Sequence, residues 1–402
     1  MAKVAVLGYG TVGSGVVGVL DTNAAEVAES AGEALELKYI LDLRDFPGDA
    51  HEDQVVHDIN VILDDPEVEV ICETMGGIEP AFTFEKQALS KGKSVCTSNK
   101  ELVAAHGPEL VELARQNGVS YLFEASVGGG IPLLRSINDS LKHEKLDSIT
   151  GILNGTTNYI LTKMDKEGMG FATVLKAAQD KGYAERNPEA DVEGYDACRK
   201  IAILASLMSG KHVNYEDIYT EGITKISIED FEYARRMNMA IKLLGMCKKN
   251  QNGFFTMVSP FLIPYENPLA NVNGVFNAVD VHGNMLGDVM FYGKGAGKNA
   301  TASAVVADVI DIIKHRGKHI EVNMKAEKAQ LSPKDNAVRS FFVRVPENLK
   351  DQAGEIFGHK IEPVEGANVH GEFAFVTDMI SEKDFEERLA KLDSVKGYIR
   401  LY

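Results

Sequence analysis

Cysteine is scarce in this chain, with four in 402 residues, at positions 72, 96, 198 and 247, and none in a CxxC pair. That excludes a disulfide framework and the paired-thiol zinc and redox motifs. No apolar run reaches the roughly 20 residues that cross a bilayer. The first residues enter a strand-like Lys3-Val-Ala-Val-Leu7 without a charged-then-apolar leader, so a cytoplasmic location is expected. Basic residues are in deficit, 42 Lys and Arg against 59 Asp and Glu, for a formal net charge of −17. Such a balance argues against nucleic acid or an anionic membrane as principal partner. His315 and His319 stand at a helical i,i+4 spacing, but Gly317 lies between them and the glutamate of an HExxH motif is missing. The stretch reads as a solvated basic turn rather than a zinc pair. There is no long low-complexity segment and no repeat period.

What is present is the composition of a soluble globular protein, 45% hydrophobic and 25% charged, at a length that suits two or three domains. Val4–Leu7 reads as a buried strand running into Gly8-Tyr9-Gly10-Thr11-Val12-Gly13, followed by the helical pattern Val16, Val17, Leu20. This is GxGxxG in strand–turn–helix context, the setting in which glycines admit a pyrophosphate and the helix start supplies amide donors. A second strand, Leu37–Leu41, leads to Asp42 and Arg44. An acid here binds the ribose hydroxyls of NAD, whereas an arginine pairs with the 2′-phosphate of NADP, and with both present the choice stays open. Further strands at Val68–Cys72 and Ser94–Thr97 end in Glu73-Thr74-Met75-Gly76-Gly77 and Ser98-Asn99-Lys100, with a helix over Ala81–Lys91 between them. Alternation of this kind implies an α/β fold with a doubly wound parallel sheet of Rossmann type, whose ligands sit at the carboxyl ends of the strands. Lys100 at such an end suits a substrate carboxylate or a developing oxyanion.

Tyr121–Glu124 reads as another strand, and three glycines in Glu124-Ala-Ser-Val127-Gly128-Gly129-Gly130-Ile131-Pro132 suit either a carbonyl-lined cation site or an interdomain hinge. Gly151–Leu161 reads as a strand whose Asn154-Gly155-Thr156-Thr157 turn opens a helix, where hydroxyls and amides suit an α-carboxylate. In Gly194-Tyr-Asp196-Ala-Cys-Arg-Lys200, a carboxylate and an amine fall four residues apart on one helix face. The almost wholly apolar Ile201–Met208 that follows marks this helix as buried, so the charges are expected to have a task. A lysine whose pKa burial lowers can take a hydroxyl proton, while a neighbouring Asp orients it and pushes the pKa the other way.

Six motifs in order resemble those of homoserine dehydrogenases over nearly the whole chain: Gly8–Gly13, Thr97–Lys100, Glu124–Pro132, Asn154–Leu161, Ala190–Lys200, and Tyr292–Gly297 with Thr301–Val305. The resemblance implies NAD(P)-linked interconversion of L-homoserine and L-aspartate 4-semialdehyde, on the route to threonine, methionine and isoleucine. It implies Lys200 as catalytic lysine, Asp196 as its partner and Lys100 as the lysine beside nicotinamide. It implies Glu185 and Asp191 at the substrate amino group, Gly155 and Thr156 at its carboxylate, and Tyr183 nearby. Gly8, Gly10, Thr11, Val12, Gly13, Arg44, Thr74, Ser98 and Gly297 would face the cofactor. Glu124, Val127, Gly129 and Ile131 would hold a monovalent cation, Na+ or K+, largely through main-chain carbonyls. The chain departs from the family pattern at Met75 and at Lys298-Asn299-Ala300, both near the expected cofactor.

Beyond residue 339 the pattern spells βαββαβ: Phe341–Val345, a helix over Leu349–Phe357, Lys360–Val364, Glu372–Val376, a helix over Glu382–Leu392, and Gly397–Leu401. This resembles an ACT domain with a ferredoxin-like fold, although Pro346-Glu-Asn stands where Asp-x-Pro-Gly is usual. An amino-acid effector such as threonine, or a purely oligomerising role in a homodimer or homotetramer, is implied. The expected organisation is a Rossmann domain over 1–133 completed by a helix at 302–313, an α+β substrate and dimerisation domain over 134–301, and the ACT-like module over 339–402. The rival readings are a saccharopine- or diaminopimelate-type dehydrogenase, which would lack Asn154-Gly-Thr-Thr and the Asp191-to-Lys200 pairing, and a non-catalytic sensor on the same scaffold.

Overall fold

Short apolar runs in the first 122 residues become the strands of a parallel sheet in the computed structural model, which describes residues 1–358 and 361–402. These strands are β1 (Ala2–Leu7), β2 (Leu35–Leu41), β3 (Val55–Val56), β4 (Val68–Glu73), β5 (Ser94–Thr97) and β6 (Tyr121–Leu122). Their order is β3-β2-β1-β4-β5-β6, every pairing parallel, which is the doubly wound arrangement with its switch point beside β1. Val4, Ala5, Val6, Val70, Ile71 and Val95 are wholly buried, because helices are needed on both faces of a parallel sheet. Those helices include α1 (Thr11–Thr22), α2 (Ala24–Ala31), α3 (Ile59–Leu63), α4 (Ala81–Ser90) and α5 (Lys100–Gln116). The sixth strand is shorter than the expected Tyr121–Glu124. Glu124–Ser126 instead turn into a 3-10 helix, since Glu124 is drawn inward to bond the main chain beyond it.

The chain divides into two compact units, one of residues 1–145, 202–215 and 293–329, the other of residues 146–201, 216–292 and 330–402. In the first, the helix Lys298–Lys314 packs on α1: a Cβ on Gly15 would stand 2.9 Å from both Ala302 Cβ and Lys298 O. That helix stops at Lys314, so His315 lies beyond it, and His319 Nδ1 bonds the Val119 carbonyl at 2.6 Å.

The second unit is built on a mixed sheet. Its strand order is Gly287–Lys294, Phe276–Gly283, Leu146–Ile152, Met239–Asn250, Gly253–Pro264, Gly397–Leu401, Phe341–Pro346, Glu372–Val376, Glu362–Pro363. The last four carry the 4-1-3-2 antiparallel order of a ferredoxin-like unit, with helices Lys350–Phe357 and Glu382–Leu389 between them. Lys360, the first residue expected for the strand 360–364, lies outside the described residues. Gly397–Leu401 pairs in parallel with Gly253–Pro264 (Phe261 with Arg400, Leu262 with Leu401), so the βαββαβ segment continues the mixed sheet of the second unit. Arg400, 2% exposed, locks the junction by donating to Glu221 Oε2, to Ser259 Oγ (2.8 Å) and to both oxygens of Glu382 (2.8 and 2.9 Å). Four further helices are α6 (Gly155–Glu167), α7 (Phe171–Asp180), α8 (Glu189–Val192) and α9 (Tyr195–Ser209), and the division between the units falls within α9.

Candidate active site

At the carboxyl end of β1 the main chain folds into a cradle. Gly10 caps α1 with no side-chain bond to the helix, leaving the first amides of α1, those of Thr11 and Val12, for a ligand. Gly13 must be glycine, because a Cβ there would lie 1.9 Å from Gly8 O and 2.8 Å from Thr74 Oγ1. Thr74 ties the ends of β1 and β4 together, its hydroxyl donating to Leu7 O (3.0 Å) or Gly8 O (2.9 Å). These features fit a dinucleotide pyrophosphate: open main chain, a helix start and no side chain in the way. At the neighbouring β2 end, Asp42 Oδ2 accepts from Tyr9 N (2.8 Å) and Arg44 Nη2 (2.9 Å), while Oδ1 accepts from Arg44 Nε (2.9 Å). The guanidinium holds the Asp42 carboxyl well below the usual carboxylate range. Arg44 itself remains 62% exposed and its guanidinium lies over the Phe46 ring, so the two residues between which the sequence leaves the ribose choice open form one ion pair at the rim.

The ends of β4 and β5 are joined by Glu73, which is wholly buried. Its Oε1 accepts from Met75 N (2.7 Å) and its Oε2 from the Thr97 hydroxyl (2.5 Å), and Ser98 N bonds its carbonyl (3.3 Å). Asn99 caps α5, and Lys100, half-buried, is the first residue of that helix. The Glu124 carboxylate is consumed by three amides, those of Leu133 (2.7 Å), Leu134 (2.9 Å) and Arg135 (2.6 Å). Asp308, pushed up to about 7 by burial, accepts from Glu124 N (2.9 Å) and Arg135 Nη2 (2.7 Å). Gly129 packs against the chain at Gly295, where its Cβ would stand 2.7 Å from the carbonyl carbon, and Ile131 O accepts from Leu133 N (2.8 Å). Gly297 caps the helix Lys298–Lys314 with φ +127°. With the Glu124 carboxylate engaged, a cation on this loop would meet main-chain oxygens. Among the described residues no cluster of three or more His, Cys, Asp or Glu has metal-binding geometry.

In the second unit a polar array is buried where β7, the strand Leu146–Ile152, meets α6, α8 and α9. Asn154 is its hub. The Oδ1 caps α6 by accepting from Thr157 N (2.8 Å), which turns Nδ2 toward two carboxylates, Asp191 Oδ1 (2.7 Å) and Asp196 Oδ2 (2.8 Å). Lys200 Nζ donates to the same Asp196 oxygen (2.7 Å) and to Leu153 O (2.8 Å). Both side chains are under 10% exposed, 9% and 4%, so the i,i+4 pair predicted on α9 is a buried one. Gly155 is fixed as glycine by Val275 O, 2.6 Å from where its Cβ would be. Thr156 Oγ1 donates to Tyr183 O (2.7 Å), and the Tyr183 ring meets Tyr159 edge-on at 5.1 Å. Glu185 stands exposed on the same loop, its carbonyl held by Gln179 Nε2 (3.1 Å). Asn154 is the member that residue-type reasoning passed over. Its signal is an asparagine between a strand end and a helix start, where capping uses the oxygen and leaves the NH2 for acids.

Two family models match the chain. One described as "Homoserine dehydrogenase, NAD binding domain" matches residues 8–124, and one described as "Homoserine dehydrogenase" matches residues 132–310. The chain belongs to the homoserine dehydrogenase family. It is 37% identical to the Bacillus subtilis homoserine dehydrogenase over 98% of this chain and 95% of that one. Over 77% of this chain and 73% of the relative, it is 46% identical to that of Synechocystis. The solved homoserine dehydrogenase of Thiobacillus denitrificans superposes with a TM-score of 0.92 at 34% identity, covering 100% of this chain and 98% of that one. A hyperthermophilic archaeal homoserine dehydrogenase mutant solved in complex with NADPH matches 77% of this chain and 97% of its own length, with a TM-score of 0.66 at 28% identity. The activity is therefore that of an oxidoreductase acting on homoserine with a nicotinamide cofactor. Among the described residues no helix is long and apolar enough to cross a membrane.

Proposed function

We propose that Lys200 is the proton-transfer group in the interconversion of L-homoserine and L-aspartate 4-semialdehyde. The observation that carries this is a buried ammonium fixed at two points, Asp196 Oδ2 and Leu153 O, by acceptors that belong to one hydrogen-bonded array. Bound nicotinamide supplies hydride transfer at its C4. In oxidation Lys200, once neutral, takes the hydroxyl proton, and in reduction its ammonium returns a proton to the aldehyde oxygen. Asp196 holds the amine in place and Asn154 holds Asp196, so the proton is moved from a fixed point. Asp191 and Glu185 take the substrate ammonium, with Tyr183 on the same loop. The α6 start at Gly155 and Thr156 takes the carboxylate through main-chain N–H groups. Lys100 at the start of α5, with Ser98, lies toward the nicotinamide. In the full enzyme, Lys200→Ala is expected to lose on the order of 10²–10⁴ in turnover while cofactor affinity is kept. A folded variant with near-normal turnover overturns the assignment.

The remaining assignments rest on the cradle and on the family. Gly8, Gly10, Thr11, Val12, Gly13, Thr74 and Gly297 hold the dinucleotide, and Arg44 decides between NADP and NAD by clamping a 2′-phosphate whose charge Asp42 alone would repel. Initial rates with both cofactors in parallel test this. Na+ or K+ is held by main-chain oxygens of Glu124, Val127, Gly129 and Ile131, which a turnover titration with KCl, NaCl and a bulky organic cation tests. The enzyme works in the cytoplasm as a homodimer or homotetramer, a state that light scattering measures. Residues 1–133, 134–301 and 339–402 serve as cofactor, substrate and ACT-like regions, and the last binds an amino-acid effector such as threonine. Deleting 339–402 would strip the strand Gly397–Leu401 from Gly253–Pro264 and expose a sheet edge, so threonine titration of the intact chain is the better assay.

A further inference from the structure

Lys242 has no part in the chemistry above, yet it is 3% exposed in the middle of the strand Met239–Asn250. Its ammonium donates to Val272 O, Asn273 Oδ1 (3.1 Å) and Asn158 Oδ1 (3.2 Å), all three neutral. The charged groups acting on it from outside are Asp165 and Lys166, both on α6, and burial lowers it to about 8. A buried ammonium without a carboxylate at hydrogen-bond distance is costly, and a methionine would fill the same space. What the lysine adds is the set of bonds it makes.

Those bonds tie the loop 272–276 to α6. Asn158, one turn beyond Asn154, bonds Asn154 O through its own N–H (3.2 Å) and donates through Nδ2 to Val272 O (3.2 Å) and Phe276 O (3.0 Å). One turn further on, Thr162 Oγ1 accepts from Gly274 N (3.0 Å). Between these ties Val275 O is set 2.6 Å from the Cβ position of Gly155. The loop therefore forms the wall behind the first turn of α6, and Lys242, from the neighbouring strand, adds bonds to both the loop and Asn158.

We propose that Lys242 is a positioning residue for substrate: by holding the loop 272–276 against α6, it sets where Gly155 and Thr156 present their main-chain N–H groups to the substrate carboxylate. The inference rests on the substrate assignment above. Lys242→Met, assayed as the full-length enzyme with saturating cofactor, should raise KM for L-homoserine by about tenfold and leave kcat and cofactor affinity within about twofold. A role in stability alone would lower the active fraction, and so the apparent kcat, and leave KM where it was. Asn158→Ala removes the Lys242–Asn158 bond together with the two bonds that Asn158 Nδ2 makes to the loop. The double variant should show little more than the larger single effect, since both act through one bonded set. Hydrogen exchange of the amides of 155–158 should quicken in either variant while the strand Leu146–Ile152 keeps its protection, a readout that holds whatever the substrate. An unchanged homoserine KM in both variants, or unchanged exchange at 155–158, overturns the proposal. A wild-type enzyme inactive on homoserine overturns the substrate assignment instead, with the exchange result still deciding whether Lys242 holds the helix start.

Discussion

The cofactor cradle at Gly8–Gly13 is made of main chain, whereas the array from Asn154 to Lys200 is made of side chains withdrawn from water. In the cradle the glycines work by what they omit, since a Cβ at Gly13 would meet Gly8 O at 1.9 Å. The array is defined by what is present, an amide, two carboxylates and an amine linked at 2.7–2.8 Å. A pyrophosphate is bound well by oriented N–H dipoles that need no titration. Proton transfer needs a titratable group with fixed partners in a low-dielectric setting. The difference predicts that damage to the cradle changes cofactor affinity, while damage to the array changes turnover.

The sharpest break in the array short of removing the lysine is Asn154→Asp. It keeps the cap on α6 but brings a third carboxylate against Asp191 and Asp196. Turnover should fall on the order of 10²-fold, with cofactor affinity kept, because repulsion among the acids displaces the partner of Lys200. Fluorescence titration of NADPH beside steady-state kinetics checks both halves. In the cradle, Gly13→Ala should weaken cofactor by about tenfold or more and leave homoserine KM near its original value at saturating cofactor, measured by the same pair of assays. A smaller effect is expected at the rim. Arg44→Ala should weaken NADP by several-fold, on the order of 1 kcal/mol, and hardly touch NAD. Equal effects on the two cofactors would show that the guanidinium turns away from the ribose.

Much of this contrast was legible in the chain. GxGxxG after an apolar strand is a contiguous signal, and Asp196 with Lys200 shows itself by helical spacing alone. Asn154 as hub was not legible, because its partners Asp191 and Asp196 come from α8 and α9 and meet it only in the folded chain. The ribbon Met239–Asn250 with Gly253–Pro264 was passed over for another reason. Eight consecutive residues, from Ala240 to Cys247, are buried, so the ribbon lacks the alternation that marks a half-exposed strand. The C-terminal βαββαβ order was readable locally, but its joining to Gly253–Pro264 depends on a long-range parallel pairing that no local pattern encodes.

The last expected effect is on stability rather than on cofactor affinity or turnover. Lys242 has a folded pKa of about 8, below the ordinary lysine value of 10.5, so between these values the unfolded chain binds the extra proton. Its contribution to stability therefore rises with pH across that window, and below about pH 8 burying the charge costs on the order of 3 kcal/mol relative to alkaline pH. Denaturant melts at pH 7 and pH 10 should show this rise in the wild type and lose that component in Lys242→Met. An identical pH response in the two proteins would mean that the ammonium is not burdened by its burial.

Lys200 is proposed to move the proton, while the cradle only holds the cofactor. Single-turnover oxidation of saturating L-homoserine by Lys200→Ala, followed at the absorbance of the reduced nicotinamide, tests it most directly. The expected result is a hydride-transfer phase slower on the order of 10²–10⁴-fold in a folded variant that binds cofactor as the wild type does. A phase within about threefold of wild type would contradict it.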